Sequence, residues 1–466
     1  MAEYTKGKEI GKGKTKILYE VIGHPDLAWV ENKQDVTAHD DAAYTKRFDT
    51  KAICATTTTT KIFELLNACG IPTAFVQRIS DTEFIAKKCE MIPLEVVARR
   101  LAVGSFVQRR PDLKAPEGKK PIRFHEVYRE FFLKTTKGKL EKAGQSRDLG
   151  LPLIDTGRKE EGTGKPIMKV LDDPLIEDVW AGNWKLMMPK QPAWEKGGDL
   201  GISISPTEVV LSADVKIGLR SSVVEIIKLM DQINHKSFLL VEGAWAILGY
   251  LLVDWKIEFG WTMDGQLVIA DVIDKDRWRL RNREFQELSK QLHRDGLPLS
   301  EVEAKYGLVT EMVQQFRLPK QVIVIWKGSA DDKSPELPLN NHLPGVERVE
   351  VVMSGHKKTM ACLKKLEELL RDYPDGGVIV APVGMSNGLA PTLSSHTTWP
   401  VIGVPVNAKE FPDDVWSSLR LPSQNPMATI LSDKNAVLLA LNILAQKNPA
   451  AYMVRQMAIE ELDTGY

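Results

Sequence analysis

The 466-residue sequence has no excess of charge of either sign, because 62 basic and 62 acidic residues cancel. A chain with a pI near 7.1 offers no electrostatic footprint for nucleic acid or an anionic membrane, so neither is expected as a partner. No apolar run reaches the length of a membrane span, and the first residues contain no hydrophobic signal core. These absences favour a cytoplasmic protein that acts on small molecules.

Cysteine is scarce, with only four residues in the chain. They lie far apart and include no Cys-x-x-Cys spacing, which disfavours both a disulfide framework and a zinc ribbon. A reducing compartment is therefore expected.

The length of the chain exceeds what one hydrophobic core usually holds, so more than one domain is expected. Residues 1–280 combine hairpin-like runs with helices and predict an α+β domain. Residues 281–320 predict a helical connector, with helices from Asn282 to Arg294 and from the capping box at Ser300 onward. Residues 321–466 alternate strands and helices, which predicts an α/β domain with a parallel sheet flanked by helices. Residues 135–191 lack clear periodicity and are interpreted as a long, partly mobile insertion.

The stretch from Leu251 to Asp274 predicts a β-hairpin. Asp264-Gly265 separates two β-rich runs, and a two-residue loop there places Glu258 directly opposite Asp271. By the two-residue period, one face carries the charged side chains Asp254, Lys256, Glu258 and Asp271, and the other carries Trp255, Ile257, Phe259, Val268, Ala270 and Val272. Opposed carboxylates repel unless a divalent cation bridges them, and magnesium is the natural candidate. A solvated polar face with one unfavourable pair is the alternative.

Two other segments suggest anion binding in the first domain. The glycine-rich turn from Gly11 to Lys16 precedes a β-rich run, so its amides and lysines suit phosphate, although a basic surface turn fits as well. Arg99, Gly104 and Ser105 end a segment that runs from a strand into a predicted helix, and they suit an anionic substrate group. A solvated helix face with its C-cap is the alternative.

Small or polar turns follow three successive strands of the second domain, at residues 328–332, 354–357 and 384–389. Open α/β sheets bind phosphorylated ligands at the carboxyl ends of their strands. His356 begins a helix in the second turn, so it is either a helix cap or a catalytic group.

Several motifs resemble those of the SAICAR synthetase family, the ATP-dependent ligases of purine biosynthesis. They are Met91–Glu95, Arg99–Ser105, Val253–Gly260 and Ala270–Arg279. Their order, followed by a connector and a smaller α/β domain, resembles the bifunctional enzymes that join AIR carboxylase to SAICAR synthetase. This resemblance implies a two-layer ATP-binding fold for the N-terminal domain, a flavodoxin-like three-layer fold for the C-terminal domain, and a homo-octameric assembly. It also implies carboxylation of AIR by carbon dioxide without ATP or biotin, then ligation of the product CAIR to L-aspartate with ATP and Mg²⁺.

The resemblance assigns residues to each site. For ATP it implies Gly13, Lys14, Lys16, Glu90 and Met91, and for magnesium Glu258 and Asp271. For the imidazole substrate and the catalytic centre of the ligase it implies Asp35, Arg99, Gly104, Ser105, Lys256, Asp276 and Arg279. In the carboxylase domain it implies His356 and Lys357 as catalytic residues, and Gly328, Ser329, Asp332, Ser386, Asn387 and Gly388 as substrate-binding residues.

The second domain departs from the family pattern at several positions. The family arginine is replaced by Met385, and Pro335, Pro338 and Pro344 occupy the stretch of the first helix, which is therefore expected to be short or replaced by a loop. In the first domain, the five threonines Thr56–Thr60 replace a family motif. Two functions are therefore compared: both domains are enzymes, or the second domain only mediates oligomerisation. An unrelated ATP-dependent kinase or ligase is a third alternative.

Overall fold

The computed structural model describes residues 3–13, 15–37, 45–47, 50–136, 138–159, 164, 166–170, 173–188, 198–212, 222–275, 277–288, 299–332, 334–335 and 343–462. The chain divides into two compact units, the first comprising residues 1–241, 248–316 and 465–466, the second residues 242–247 and 317–464. None of the described helices is long and apolar enough to cross a membrane. Strands and helices are numbered here in chain order.

The first unit is α+β, as predicted. Its strands are β1 Lys6–Lys12, β2 Lys16–Val21, β3 His24–Asn32, β4 Asp35–Thr37, β5 Thr45–Arg47, β6 Phe75–Arg78, β7 Glu83–Lys87, β8 Cys89–Met91, β9 Leu94–Leu101, β10 Arg123–Leu133, β11 Lys139–Lys142, β12 Gln145–Asp148, β13 Leu153–Lys159, β14 Pro166–Val170, β15 Leu175–Ile176, β16 Trp184–Met188, β17 Gly198–Ile204, β18 Leu251–Thr262, β19 Leu267–Ala270 and β20 Trp278–Arg281. Its helices are α1 Lys51–Ala68, α2 Ser105–Arg109, α3 Pro206–Val210, most of α4 Val223–Ile247, and α5 Leu299–Val313.

The strand β18 pairs with four other strands of the larger sheet. That sheet follows the order β17-β16-β15-β10-β9-β18-β19, and β8 and β20 also pair with β18. One face of β18 packs against α4, where Trp255 Nε1 donates a hydrogen bond to Asn234 Oδ1 at 3.0 Å and its ring meets Phe238 edge-on at 5.9 Å. Because the apolar face is covered in this way, the charged side chains of β18 lie together on the opposite face.

The threonine run lies inside α1, Lys51–Ala68. All five threonines are buried. Asn32 Nδ2 donates to Thr56 Oγ1 at 2.8 Å, and Thr59 Oγ1 donates to the carbonyl of Ile273 at 3.2 Å. Threonine is a weak helix former, so these tertiary contacts stabilise the helix.

The predicted insertion at residues 135–191 contains the antiparallel pairs β11–β12 and β13–β14. The first connector helix is absent from Asn282 to Leu288, where Asn282 Oδ1 accepts from the Gln286 amide at 2.8 Å in a turn; the rest of that prediction lies outside the described residues. The second connector helix is confirmed as α5.

The second unit is a three-layer α/β structure, as predicted. Its strands are β21 Gln321–Lys327, β22 Val346–Val352, β23 Gly377–Val383, β24 Val401–Pro405 and β25 Ala428–Thr429, and its helices are α6 Thr359–Asp372, α7 Leu389–Ser394, α8 Trp416–Leu419, α9 Asp433–Leu444 and α10 Pro449–Glu460. The parallel sheet has the order β22-β21-β23-β24-β25. α6 and α7 pack on one face, and α9 and α10 on the other. Between β21 and β22, the described residues 328–332, 334–335 and 343–345 contain no helix.

Candidate functional sites

The hairpin from β18 to β19 has a different register from the predicted one. Glu258 pairs with Ala270, and Phe259 pairs with Ile269. The cause is a loop one residue longer than predicted, closed by the Thr262 amide donating to the Gln266 carbonyl at 3.0 Å, with Gly265 at a φ of +80°. Glu258 therefore does not face Asp271 directly. Val268 and Ala270 also lie on the charged face of β18 rather than on the predicted apolar face.

The carboxylate of Asp271 nevertheless lies in the same site as that of Glu258, because of the backbone turn at Asp271. It follows the end of β19 and has a φ of +63°, a left-handed conformation that few residues other than glycine adopt. This turn redirects its carboxylate. The guanidinium of Arg277 then contacts both acids: Nη1 lies 2.9 Å from Glu258 Oε1, and Nη2 contacts Asp271 Oδ2. The two predicted metal ligands thus share one cationic partner.

Basic side chains surround the Glu258 carboxylate. Glu258 is 3% exposed and its Oε2 accepts from Lys134 Nζ at 2.6 Å. Burial alone would raise the pKa of Glu258, but the charges of Arg277 and Lys134 outweigh it and hold the pKa at about 2. Lys16 Nζ contacts Asp271, and burial together with the charge of Arg277 lowers the pKa of Lys16 to about 8.

Lys256 lies between this cluster and a further pair of acids. Its Nζ donates to Glu95 Oε1 at 2.6 Å. Asp173 is nearby and accepts from the Thr135 amide at 2.8 Å, and burial together with the charge of Glu95 raises the pKa of Asp173 to about 6. Glu95 was not assigned a role from the sequence. It lies four residues before Arg99 on β9, so the two-residue period of a strand could have placed both side chains on the same face.

A second charged cluster crosses three neighbouring strands. Asp254 on β18 pairs with Arg99 on β9 and with Arg279 on β20. Arg99 Nη1 donates to Asp254 Oδ2 at 2.7 Å, and Arg279 Nε donates to Asp254 Oδ1 at 2.8 Å. Burial would raise the pKa of Asp254, but Arg279 and Arg99 together hold it below its usual value. In this cluster, the predicted substrate residues Arg99 and Arg279 both contact Asp254. The sequence analysis placed Asp254 on the charged face but gave it no role.

Gly104 and Ser105 lie beside this cluster, at the start of α2. The Arg279 guanidinium rests on Gly104, where an added Cβ would lie 1.9 Å from Nη1, and the φ of Gly104 is +62°. Arg99 also donates to Glu130 Oε2 at 2.6 Å, and Arg109 contacts the other oxygen of Glu130. Arg99 lies on a strand, so its predicted placement on a helix is wrong. With three arginines and two acids, the cluster has a net charge of +1 and suits an anionic group.

The other residues predicted for the first unit lie as follows. Gly13 donates from its amide to the Lys16 carbonyl at 2.8 Å, in a turn between β1 and β2. Glu90 and Met91 lie on β8 beside β18; Glu90 Oε2 accepts from Ser212, and its buried Oε1 makes no hydrogen bond with any described residue. Lys14, Asp276 and the side chain of Asp35 lie outside the described residues.

In the second unit, the three predicted turns lie at the carboxyl edge of the parallel sheet. In the first, the Ser329 amide donates to Asp332 Oδ2 at 2.8 Å. An added Cβ on Gly384, in the third turn, would lie 3.0 Å from Asp332 Oδ1, and one on Gly388 would lie 2.0 Å from His356 Nε2. The two glycines therefore let the first and second turns approach the third, so the three predicted turns come together.

Asn387 connects the third turn to α8. Its amide nitrogen Nδ2 donates to Ser418 Oγ at 2.9 Å, and its Oδ1 accepts from the Ala390 amide at 3.1 Å at the start of α7. Ser386 lies beside it, and the Ser386 carbonyl accepts from the Gly388 amide at 3.1 Å. His356 and Lys357 are exposed at the edge, and Met385 is 66% exposed.

Comparisons with known proteins find a family for each of the two units. The sequence profile of the SAICAR synthetase family matches residues 9–149 and 207–312, and that of the AIR carboxylase family matches residues 322–460. The chain is 31% identical to "Probable multifunctional protein ADE2" of Caenorhabditis elegans, over 94% of this chain and 90% of that protein. It is 30% identical to the human "Bifunctional phosphoribosylaminoimidazole carboxylase/phosphoribosylaminoimidazole succinocarboxamide synthetase", over 95% of this chain and 91% of that protein.

Among solved structures, "SAICAR synthetase (Type-2) in complex with ADP" is 24% identical and covers 66% of this chain and 99% of that chain, with a TM-score of 0.44. The chain belongs to the family of bifunctional AIR carboxylase/SAICAR synthetases.

Proposed function

We propose that this protein catalyses two successive steps of purine biosynthesis. The second unit carboxylates AIR to CAIR with carbon dioxide, without ATP or biotin. The first unit ligates CAIR to L-aspartate with ATP, and releases SAICAR, ADP and phosphate. The proposal rests on family membership together with two separate charged sites in the first unit.

The observation that carries the ligase assignment is the placement of two charge clusters on one face of β18. Glu258 belongs to the first cluster and Asp254 to the second. The two residues are four positions apart on the strand, which corresponds to about 13 Å. The cluster at Asp254, with its net positive charge, suits the phosphate of the ribotide. The cluster at Glu258 suits the triphosphate of ATP. The imidazole carboxylate then lies between them, next to Lys256.

Glu258 and Asp271 would hold magnesium. The described residues contain no group of three or more His, Cys, Asp or Glu side chains that could hold a metal, but magnesium is commonly bound by one or two carboxylates together with substrate phosphates. Glu258 Oε1 lies 2.9 Å from Arg277 Nη1, so a bound ion would take the place of that guanidinium. Bound there, the ion supplies charge that offsets the negative charge of the transferring phosphoryl group.

The chemistry has two parts. A carboxylate is a poor electrophile, so an oxygen of the CAIR carboxylate attacks the γ-phosphorus of ATP and ADP leaves. The aspartate amine then attacks the acyl carbon, the carbon–oxygen bond to phosphate breaks, and the amine loses a proton. Positioning and charge stabilisation contribute most of the rate in such transfers. Lys16, which contacts Asp271, and Lys256, which donates to Glu95, provide positive charge at this site.

In the second unit, carboxylation forms a carbon–carbon bond between the imidazole of AIR and carbon dioxide, and a ring proton must leave. His356 is the group proposed to accept this proton, and Lys357 is proposed to hold the new carboxylate. The turns at residues 328–332 and 384–388 then hold the ribotide. His356, in the turn at residues 354–357, lies against Gly388 in the turn at residues 384–389, which supports this assignment.

Two assays with the purified full chain test the proposal. With AIR and bicarbonate but no aspartate or ATP, CAIR is expected to form faster than in the uncatalysed reaction. With CAIR, aspartate and magnesium-ATP, ADP release is expected to depend on aspartate. Ligation without carboxylation would leave the second unit only an oligomerising role. ADP release that does not depend on aspartate would reject the ligase assignment.

Substitution of Gly104 by Ala is expected to weaken binding of the imidazole ribotide. The added Cβ collides with the Arg279 guanidinium and displaces it from Asp254. The matched control is Gly118→Ala, where φ is +74° and no atom lies within 4 Å of the added Cβ. Gly118→Ala is expected to lose about 1–2 kcal/mol of stability from its positive φ. Gly104→Ala is expected to lose about 1–3 kcal/mol, because the ψ of Gly104 is −138° and that backbone region is almost confined to glycine. Only Gly104→Ala is expected to raise the KM for CAIR, by at least tenfold, and equal KM values in the two variants would contradict the role of Arg279.

Three other features belong to the proposal. A homo-octameric assembly follows from the family resemblance, whereas a cytoplasmic location and domain limits at residues 280 and 320 follow from the sequence pattern. Size-exclusion chromatography with light scattering tests the first of these.

A further inference from the structure

The guanidinium of Arg277 lies between the two carboxylates that we assign to magnesium. It is 2.9 Å from Glu258 Oε1 and contacts Asp271, and Nη1 lies 3.6 Å from Glu95 Oε1. Its side chain is 18% exposed. The structure therefore already has a cation at the proposed metal ligands, supplied by the chain itself.

This cation can leave the two carboxylates by side-chain rotation. Nη1 is ion-paired with Glu258 Oε1, and Nη2 donates a hydrogen bond to Asp271 Oδ2, so both contacts are made by the end of a rotatable side chain. The backbone of Arg277 is fixed separately, because its amide donates to the Asp274 carbonyl at 3.0 Å and its carbonyl accepts from the Lys256 amide at 2.8 Å. The guanidinium can thus change position by side-chain rotation while the strand stays in place.

A free divalent cation has poor access to this site. Lys16 contacts Asp271, Lys134 contacts Glu258, and Arg277 contacts both acids. An added dication would have to displace these three cations from the two carboxylates or accept their repulsion, in a largely buried place where such repulsion is only weakly screened. A nucleotide triphosphate changes this balance, because its phosphates offset the added charge and offer the guanidinium and the lysines new partners.

We infer that Arg277 makes metal uptake depend on nucleotide. In the absence of nucleotide its guanidinium keeps Glu258 and Asp271 closed to free cations. When ATP arrives, Arg277 turns to the phosphates and releases both carboxylates. Arg277 therefore determines that the site accepts the nucleotide with its metal rather than the metal alone. This inference rests on the proposed ligase function.

The test uses Mn²⁺ as the probe, and electron paramagnetic resonance to measure the free ion. The wild-type full chain is expected to bind no Mn²⁺ at this site up to millimolar concentration, and to bind about one ion per chain when a non-hydrolysable ATP analogue is added. Arg277→Met is expected to bind Mn²⁺ without nucleotide, at least tenfold more tightly than wild type, whereas Arg277→Lys, which keeps the charge, stays closed. Adding Glu258→Gln to Arg277→Met is expected to abolish this binding.

Glu258-dependent binding of Mn²⁺ to nucleotide-free wild type would overturn the inference, and this measurement needs no Arg277 variant to fold. Equal Mn²⁺ affinities of folded wild type and Arg277→Met would overturn it too. The ligase assay separates this result from the proposed function: wild type that lacks aspartate-dependent ADP release contradicts the function, whereas active wild type that binds free Mn²⁺ at Glu258 contradicts only the inference.

Discussion

Replacing Glu258 by Gln is expected to reduce the kcat of ligation by about 10²–10³-fold, the loss typical when one charge-stabilising group is removed from an active site. Gln keeps the shape of the side chain but removes the charge that Arg277 and Lys134 hold at neutral pH. Because the pKa of Glu258 is about 2, the wild-type carboxylate is charged throughout the range of a ligase assay. Aspartate-dependent ADP release at saturating ATP measures the effect.

Asp264→Asn on the same hairpin is the matched control. Asp264 lies in the exposed loop and accepts from Thr262 Oγ1 at 2.5 Å, far from the charged face, so its substitution is expected to leave ligation near the wild-type rate. Carboxylation should be unchanged in both variants because it belongs to the second unit, and thermal unfolding like that of the wild type shows that the first unit still folds. Near-normal ligation by Glu258→Gln would remove Glu258 from the metal site.

The second large effect is expected at His356. His356→Asn removes the proposed base, and carboxylation of AIR is expected to fall by about 10²–10⁴-fold, the usual contribution of general acid–base catalysis. Asn is smaller than His and can still occupy the space beside Gly388. Ligation of supplied CAIR is expected to stay at the wild-type rate, because the proposed ligase residues all lie in the first unit.

His396→Gln provides the comparison for this variant. His396 is exposed in the same unit, with Nδ1 at 2.8 Å from the Thr392 carbonyl, and has no proposed role in the site. Both reactions are expected to proceed normally in it. The helix-cap interpretation of His356 is wrong, because α6 begins at Thr359 and its N-cap is Lys358. Carboxylation that survives in His356→Asn would therefore indicate that another group takes the proton.

Much of the fold could be predicted from the sequence, because its patterns are local. The alternation of β18 placed Asp254, Lys256 and Glu258 on one face, and the structure confirms this through their partners. The buried strands β21 and β23 are continuous apolar runs, which is the pattern of a parallel sheet covered on both faces.

The errors arise where local signals compete with tertiary contacts. Asp264-Gly265 indicates a short loop, but a loop with one more residue, closed by Gly265 in a left-handed conformation, fits the same sequence. The threonine run has poor helix propensity, yet burial against β3 and the Ile273 carbonyl makes it helical. Neither outcome can be read from spacing, because each depends on residues distant in the chain.

Arg277 illustrates a different limit. Nothing in its local sequence distinguishes it from a solvated arginine, and the family motif around it draws attention to its neighbours Asp276 and Arg279 instead. Its three acidic partners are Glu95 on β9, Glu258 on β18 and Asp271 after β19. They come together only in the folded chain, so the local sequence does not reveal them.

The left-handed backbone at Asp271 has a consequence for how this site can vary. Left-handed geometry costs most residues about 1–2 kcal/mol, but glycine little and asparagine less than most. At this one position, the residue that best suits the chain conformation is glycine, while the proposed metal ligand requires a carboxylate. Stability and activity therefore favour different side chains at residue 271, and variants selected only for thermal stability can be expected to lose the ligase reaction here first.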